Sequence, residues 1–147
     1  MHATIEENKN LVRRFGEAIN TRQFHLLDEM VARDFKRHCQ ATPEINVGSL
    51  KEFKEFLKRD SATFPDSSQT LKLIVAEGDL VAIWVTYEGT QRGHLGPFPP
   101  SGKRVHLDFG AVIRVDNGKI AEMWVTWDNM AALAQLGHLP EFPGKTS

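Results

Sequence analysis

A single cysteine, Cys39, stands in the 147-residue sequence. No intrachain disulfide can form from it, which excludes a disulfide-stapled scaffold and fits a reducing compartment. Long apolar runs are missing too: none approaches the roughly 20 residues that a membrane-spanning helix needs. Neither sign of charge is in excess. Eighteen Lys and Arg stand against nineteen Asp and Glu, a formal net charge of -1. The basic residues are scattered among acidic ones, not gathered into the stripe that nucleic-acid binding requires. No H-E-x-x-H or comparable spacing joins the six histidines to the acids, so no recognisable metal centre is expected. The opening stretch, MHATIEENKN, is polar and acidic, unlike a secretory signal. Repeats, low-complexity tracts and an internal boundary are absent as well. The expectation is one soluble, cytoplasmic domain over residues 1–147, without a nucleic-acid or membrane partner.

What is present is a globular composition, 41% hydrophobic and 25% charged, in a chain long enough to bury about two-thirds of its unfolded surface. Three helices are predicted first. Thr4 and Glu7 form a capping box ahead of Ile5, Val12, Phe15 and Ile19 on one helical face. The segment TRQFHLLDEMVARDF carries Phe24, Leu27 and Val31 at helical spacing, and Ser49 with Glu52 caps a third helix bearing Leu50, Phe53 and Leu57. After Pro65 the period changes to alternation. QTLKLIVAEGDLVAIWVTYEGT reads as a hairpin turning at Gly78-Asp79, and KRVHLDFGAVIRVDNGKIAEMWVTW as another turning at Asn117-Gly118. Between them QRGHLGPFPPSGK, too long for a simple turn, is expected to form a pocket rim. A last helix is expected from Asp128 to Leu136, stopped at Gly137.

Helices followed by hairpins make an α+β fold: a curved, mostly antiparallel sheet with helices packed on its concave face. Alternation sorts the strands into two faces. Val81, Ile83, Val85, Tyr87, Leu107, Phe109, Ala111, Ile113, Ala121, Met123, Val125 and Trp127 share the apolar, inward parity; His106, Asp108, Arg114 and Glu122 share the other. Trp84 and Trp124 fall on that outer face, and two large rings there point to a homo-oligomer contact through it.

Three stretches carry a resemblance: EGTQRGHLGPFPPSGKRV, IRVDNGKIAEMW and WDNMAALAQLG, supported by VRRFGEAIN and DFKRH. Together they resemble the SnoaL-like polyketide cyclase and ester cyclase family, which shares the cone fold of ketosteroid isomerase and scytalone dehydratase. The resemblance implies ring closure by an intramolecular aldol step, without metal or organic cofactor. It also implies an acid/base Asp on the last long strand, a partner His on the strand before it and a His in a G-T-H motif. This sequence has Val125, Ala111 and Gln91 at those three positions.

Candidate groups must therefore come from elsewhere. Asp128 stands at a strand end directly before a helical run, as either a helix N-cap or an acid/base. His38, closing DFKRH, is a candidate to orient or protonate a substrate; His106 and Asp108 are assigned to the surface by parity, and Cys39 to the core. Tyr87 and Gln91, on the inward parity, are expected to orient a substrate. With Phe15, Phe109, Met123, Val125 and Trp127 they describe a largely apolar pocket for a hydrophobic, oxygenated small molecule. The functional expectation is cofactor-free cyclisation, isomerisation or dehydration, with catalysis by Asp128 or His38. The rivals are a non-catalytic ligand-binding module, since Val125 and Ala111 replace the acid/base pair, and a purely structural dimerisation domain.

Overall fold

The computed structural model describes residues 3–140. The chain runs α1 (Ile5–Asn20), a 3-10 turn (Phe24–Leu26), α2 (Leu27–Met30), β1 (Val31–Cys39), α3 (Leu50–Thr63), β2 (Ser68–Glu77), β3 (Leu80–Thr90), β4 (Arg104–Asp116), β5 (Lys119–Trp127) and α4 (Asn129–Gln135). The five strands form one sheet in the order β1-β5-β4-β3-β2. Every adjacent pair is antiparallel except β1 with β5. This is the expected α+β arrangement.

Local chemistry explains most boundaries. Thr4 Oγ1 accepts from the Glu7 N–H at 3.1 Å while Glu7 Oε1 accepts from the Thr4 N–H at 3.3 Å, a reciprocal box that satisfies two N-terminal amides of α1. At α3, Ser49 Oγ accepts from Glu52 N–H, but the Glu52 carboxylate reaches back one residue further, to the Gly48 N–H. Asn117 and Gly118 both have positive φ (51° and 72°), which matches the twist of the β4–β5 hairpin. Leu11, Val12, Phe15 and Ala18 of α1 and Leu50, Phe53 and Leu57 of α3 are buried with Val81, Ala111, Ile113, Met123 and Val125 of the sheet. The inward parity read from the sequence is the helix-covered face.

Two expectations are corrected. TRQFHLLDEMVARDF is not one helix: it holds a single 3-10 turn, one α-turn and then β1. Leu27 and Val31 are both buried, so their spacing of four mimics one helical face although the chain changes conformation between them. What overrides the local pattern is pairing with β5, from Lys36↔Glu122 to Cys39↔Val125. Second, β5 carries a bulge: Arg114 faces Glu122 while Val115 faces Ile120, leaving Ala121 as the extra residue. Ile120 consequently takes the inward place predicted for Ala121 and is fully buried.

Residues 91–103 fold back on themselves and onto α3. The backbone of Gln91 closes the segment onto itself through Lys103 and Gly102. The Gln91 amide Nε2, fully buried, donates toward the carbonyls of Gly93 (3.1 Å), Phe98 (3.3 Å) and Pro99 (3.1 Å). Gly93 lies so close to α3 that an added Cβ would sit 2.7 Å from the Ala62 carbonyl oxygen. The loop is thus docked on the end of α3, beside a smaller core of Phe64, Val105, Ala132 and Leu136.

Candidate functional site

Register places Cys39, Val125, Ala111 and Ile83 side by side across β1, β5, β4 and β3. All four belong to the helix-covered face. Val and Ala are short, so the middle of this row is shallow, and above it opens a cleft of about 810 Å³. Pro43 and Ile45, from the segment between β1 and α3, border it together with Arg37. The lining also includes His38, Gln40, Gly110, Val112, Trp124 and Thr126, so apolar residues meet a few polar ones and the Arg37 cation, a composition suited to holding a carbon skeleton and fixing a polar group.

Arg37 is 9% exposed. Its guanidinium carbon lies 4.2 Å from the centre of the Phe56 ring and 5.8 Å from that of Trp127. Burial pulls its pKa below the ordinary value, and the neighbouring Cys39 and Asp60 act in the opposite direction. A guanidinium starts so high that it remains a cation. Further along the same face, the Tyr87 hydroxyl donates to Asp60 Oδ2 at 3.1 Å, and the Tyr87 ring meets Phe64 edge-on. Burial raises the Asp60 pKa; the bond from Tyr87 and the charges of Arg22 and Arg37 oppose it. Tyr87 is pushed well above the usual phenol range by burial and by the adjacent Asp60 charge, so it stays a proton donor.

The predicted residues separate into groups. Val125 and Met123 are buried and inward, with Val125 on the cleft floor; Phe109 and Trp127 are half-buried on the same face. Phe15 is core, stacked on Phe53 at 5.9 Å, and does not reach the cleft lining. Gln91 is not an orienting group in this cleft: its Nε2 is engaged by three carbonyls and its Oε1 lies 2.7 Å from His138 Nε2. His38 has the outer parity of β1 and, with Trp124, lines the cleft; Nε2 is 2.6 Å from Glu122 Oε2 and the ring stacks on Trp124 at 5.5 Å. Asp128 is exposed and caps α4, Oδ1 accepting from the Ala131 N–H at 3.0 Å. His106 and Asp108 also face outward, bonded to Glu88 and to Thr86 with Trp84, respectively.

Arg37 and Asp60 were not singled out in the sequence. Signals for both exist. Phe35, Arg37 and Cys39 alternate once β1 is read as a strand, and Asp60 falls on the α3 stripe of Phe53, Leu57 and Phe64. A charged residue in phase with an apolar stripe is the mark of a functional or paired group.

A family model described as SnoaL-like polyketide cyclase matches residues 9–136. The chain belongs to the SnoaL-like polyketide cyclase family. Solved structures agree with this membership. IdmH from Streptomyces antibioticus, to which a polyketide cyclase role is ascribed, is 30% identical with a TM-score of 0.77 over 88% of this chain and 98% of its own. AclR from Streptomyces galilaeus, ascribed a hydroxylase role, is 26% identical with a TM-score of 0.82 over 96% of this chain and 87% of its own. TsrD from Streptomyces laurentii shares the fold at 24% identity and a TM-score of 0.83, covering 94% of this chain and 100% of its own. No curated protein matches the chain. In this SnoaL-like domain, Val125 and Ala111, at the positions where the resemblance places the acid/base pair, face each other directly in the cleft-floor row. Among the described residues no helix is long and apolar enough to cross a membrane.

Proposed function

We propose that this SnoaL-like protein binds a hydrophobic, oxygenated small molecule in the cleft above Val125 and Ala111 and acts on it by cofactor-independent proton transfer, in a cyclisation, isomerisation or dehydration. The observation that carries the reading is the cleft itself, lined by Val125, Ala111 and Ile83 together with Arg37 and His38. Val cannot accept a proton, so proton transfer on this reading falls to His38, which lines the cleft and is hydrogen-bonded to Glu122.

Filling the floor tests the site. Ala111→Trp is expected to weaken binding of a panel of aromatic ketones at least ~10-fold, about 1.4 kcal/mol, as read by tryptophan-independent calorimetry. Overpacking costs about 1–3 kcal/mol of stability, so Val125→Phe serves as a milder companion. Unchanged affinity in both variants would move the site elsewhere. The second reading, a binding module without turnover, is favoured by the same Val125 and Ala111. Recovery of each bound ketone chemically unaltered after long incubation would select it.

The proposal extends to assembly with a second copy through the outer sheet face. Leu73, Val75, Trp84, Val112 and Trp124 are exposed there, Leu73 by 65% and Trp84 by 44%. Val75, Ala82, Val112 and Trp124 lie in one register row across four strands, with Leu73 and Trp84 paired in the next row. An apolar stripe of this kind favours association. Sedimentation of the wild type is expected to report an oligomer, and the double variant Trp84→Lys with Trp124→Lys a monomer. A monomeric wild type refutes the interface.

A further inference from the structure

Among the described residues, the interior holds one arginine, Arg37, whose charge no carboxylate neutralises at contact distance. Arg37 is nine-tenths buried, yet among the described residues no carboxylate oxygen comes within the 4.0 Å of an ion pair. Every other arginine buried to a comparable degree would need such a partner or a set of carbonyls, because stripping water from a charge is expensive. Arg22 illustrates the alternative: its guanidinium donates to the carbonyls of Asn20, Ser67, Phe64 and Pro65 and to Ser67 Oγ. Arg37 has no comparable set; beyond its backbone pairing, its guanidinium finds only the Cys39 sulfur among the described residues.

The surroundings decide which part of Arg37 is usable. Phe56 covers the flat guanidinium at 4.2 Å and Trp127 stands at 5.8 Å, so aromatic rings take the π-face. The N–H donors radiate in the plane of the group, and Arg37 lines the cleft together with Val125 and Ala111. A planar fork of donors held by aromatic packing fits a planar pair of oxygens better than a point charge. The Cys39 sulfur on the same wall takes one bond from the guanidinium and leaves its other in-plane donors for a ligand.

We propose that Arg37 is the ligand-anchoring residue of the cleft, and that it selects compounds in which a flat hydrophobic skeleton carries a planar oxyanion, a carboxylate or the enolate of a β-dicarbonyl. The skeleton lies over Val125, Ala111 and Ile83 while the oxygens take the in-plane donors. The proposal rests on the small-molecule reading of the cleft and deepens it by naming the charge and shape of the group recognised.

The test compares two probes of nearly equal size, 2-naphthoate and neutral 2-naphthylmethanol, by calorimetry at pH 7.5 on the full chain. Wild type is expected to prefer 2-naphthoate at least ~10-fold, the value of one good charge-assisted contact. Arg37→Met is expected to erase that preference while leaving 2-naphthylmethanol affinity within about twofold of wild type, and Arg37→Lys to retain part of it. Because Met replaces a charge with no carboxylate at ion-pair distance, Arg37→Met is also expected to keep or raise Tm. Equal affinity of wild type for both probes overturns the proposal while sparing the cleft, provided Ala111→Trp still blocks them. Failure of both probes to bind overturns the cleft reading and the anchor together. A marked loss of Tm in Arg37→Met with unchanged probe preference makes Arg37 a packing residue.

Discussion

Truncating Phe35 to Ala is expected to cost about 3–5 kcal/mol, the range for an aromatic side chain removed from a closed core. Phe35 is completely buried, and its ring sits 4.9 Å from that of Phe53. Phe53 in turn stacks on Phe15 at 5.9 Å and on Phe56 at 6.3 Å. The ring therefore joins β1 to α3 and, through it, to α1. These elements come from three separate stretches of chain and cannot all move in to fill the void. Spread over a domain of this size, the loss corresponds to a fall in Tm of roughly 10 °C or more, measurable by circular dichroism or urea titration. Total stability of such domains is only about 5–15 kcal/mol, so the variant is expected to be partly unfolded at body temperature. A cost below about 1 kcal/mol would mean that the cluster repacks.

Gln91→Leu is expected to be nearly as damaging, by about 3 kcal/mol, although it preserves size and adds apolar surface. The reason is what the amide leaves behind. The carbonyls of Gly93, Phe98 and Pro99 lose a buried donor, and His138 loses the oxygen 2.7 Å from its Nε2. Each orphaned, partly buried group keeps part of its desolvation cost without its bond. Hydrogen exchange resolves the effect by position: faster exchange is expected across residues 92–102 and in α4, with β1 unchanged. Uniform acceleration across the chain would show instead that the loop is not a separate unit.

The two hairpins, α1, α3, α4 and the inward parity were legible because each rests on neighbours in sequence. Thr4 with Glu7, Asn117 with Gly118, and Asp128 ahead of α4 act over a few residues. What escaped depends on partners far along the chain. β1 is a strand because β5 offers it an edge, and nothing within Val31–Cys39 announces that edge. Once β1 is misread, Arg37 loses its place: on a strand it falls between Phe35 and Cys39 on the covered face, while His38 turns to the opposite side. Of the sequence candidates, His38 lines the cleft but is already paired with Glu122, Gln91 is saturated by its own loop, and Asp128 is consumed by a helix end. Tyr87 kept its predicted face but turned out to serve Asp60, a partner 27 residues upstream. Chemistry-bearing residue types are visible in a sequence; whether their hydrogen-bonding capacity is already spent is not.

Among the described residues, β1 finds its main neighbour in β5, the last strand of the sheet. A ribosome making this chain therefore produces Val31–Cys39 long before Lys119–Trp127 exists to receive it. The sheet cannot close during synthesis, and its completion is a late event that joins the two distant ends of the fold. Any nascent or proteolysed fragment ending before residue 119 carries β1 with a bare edge, a template for pairing with other unfinished copies.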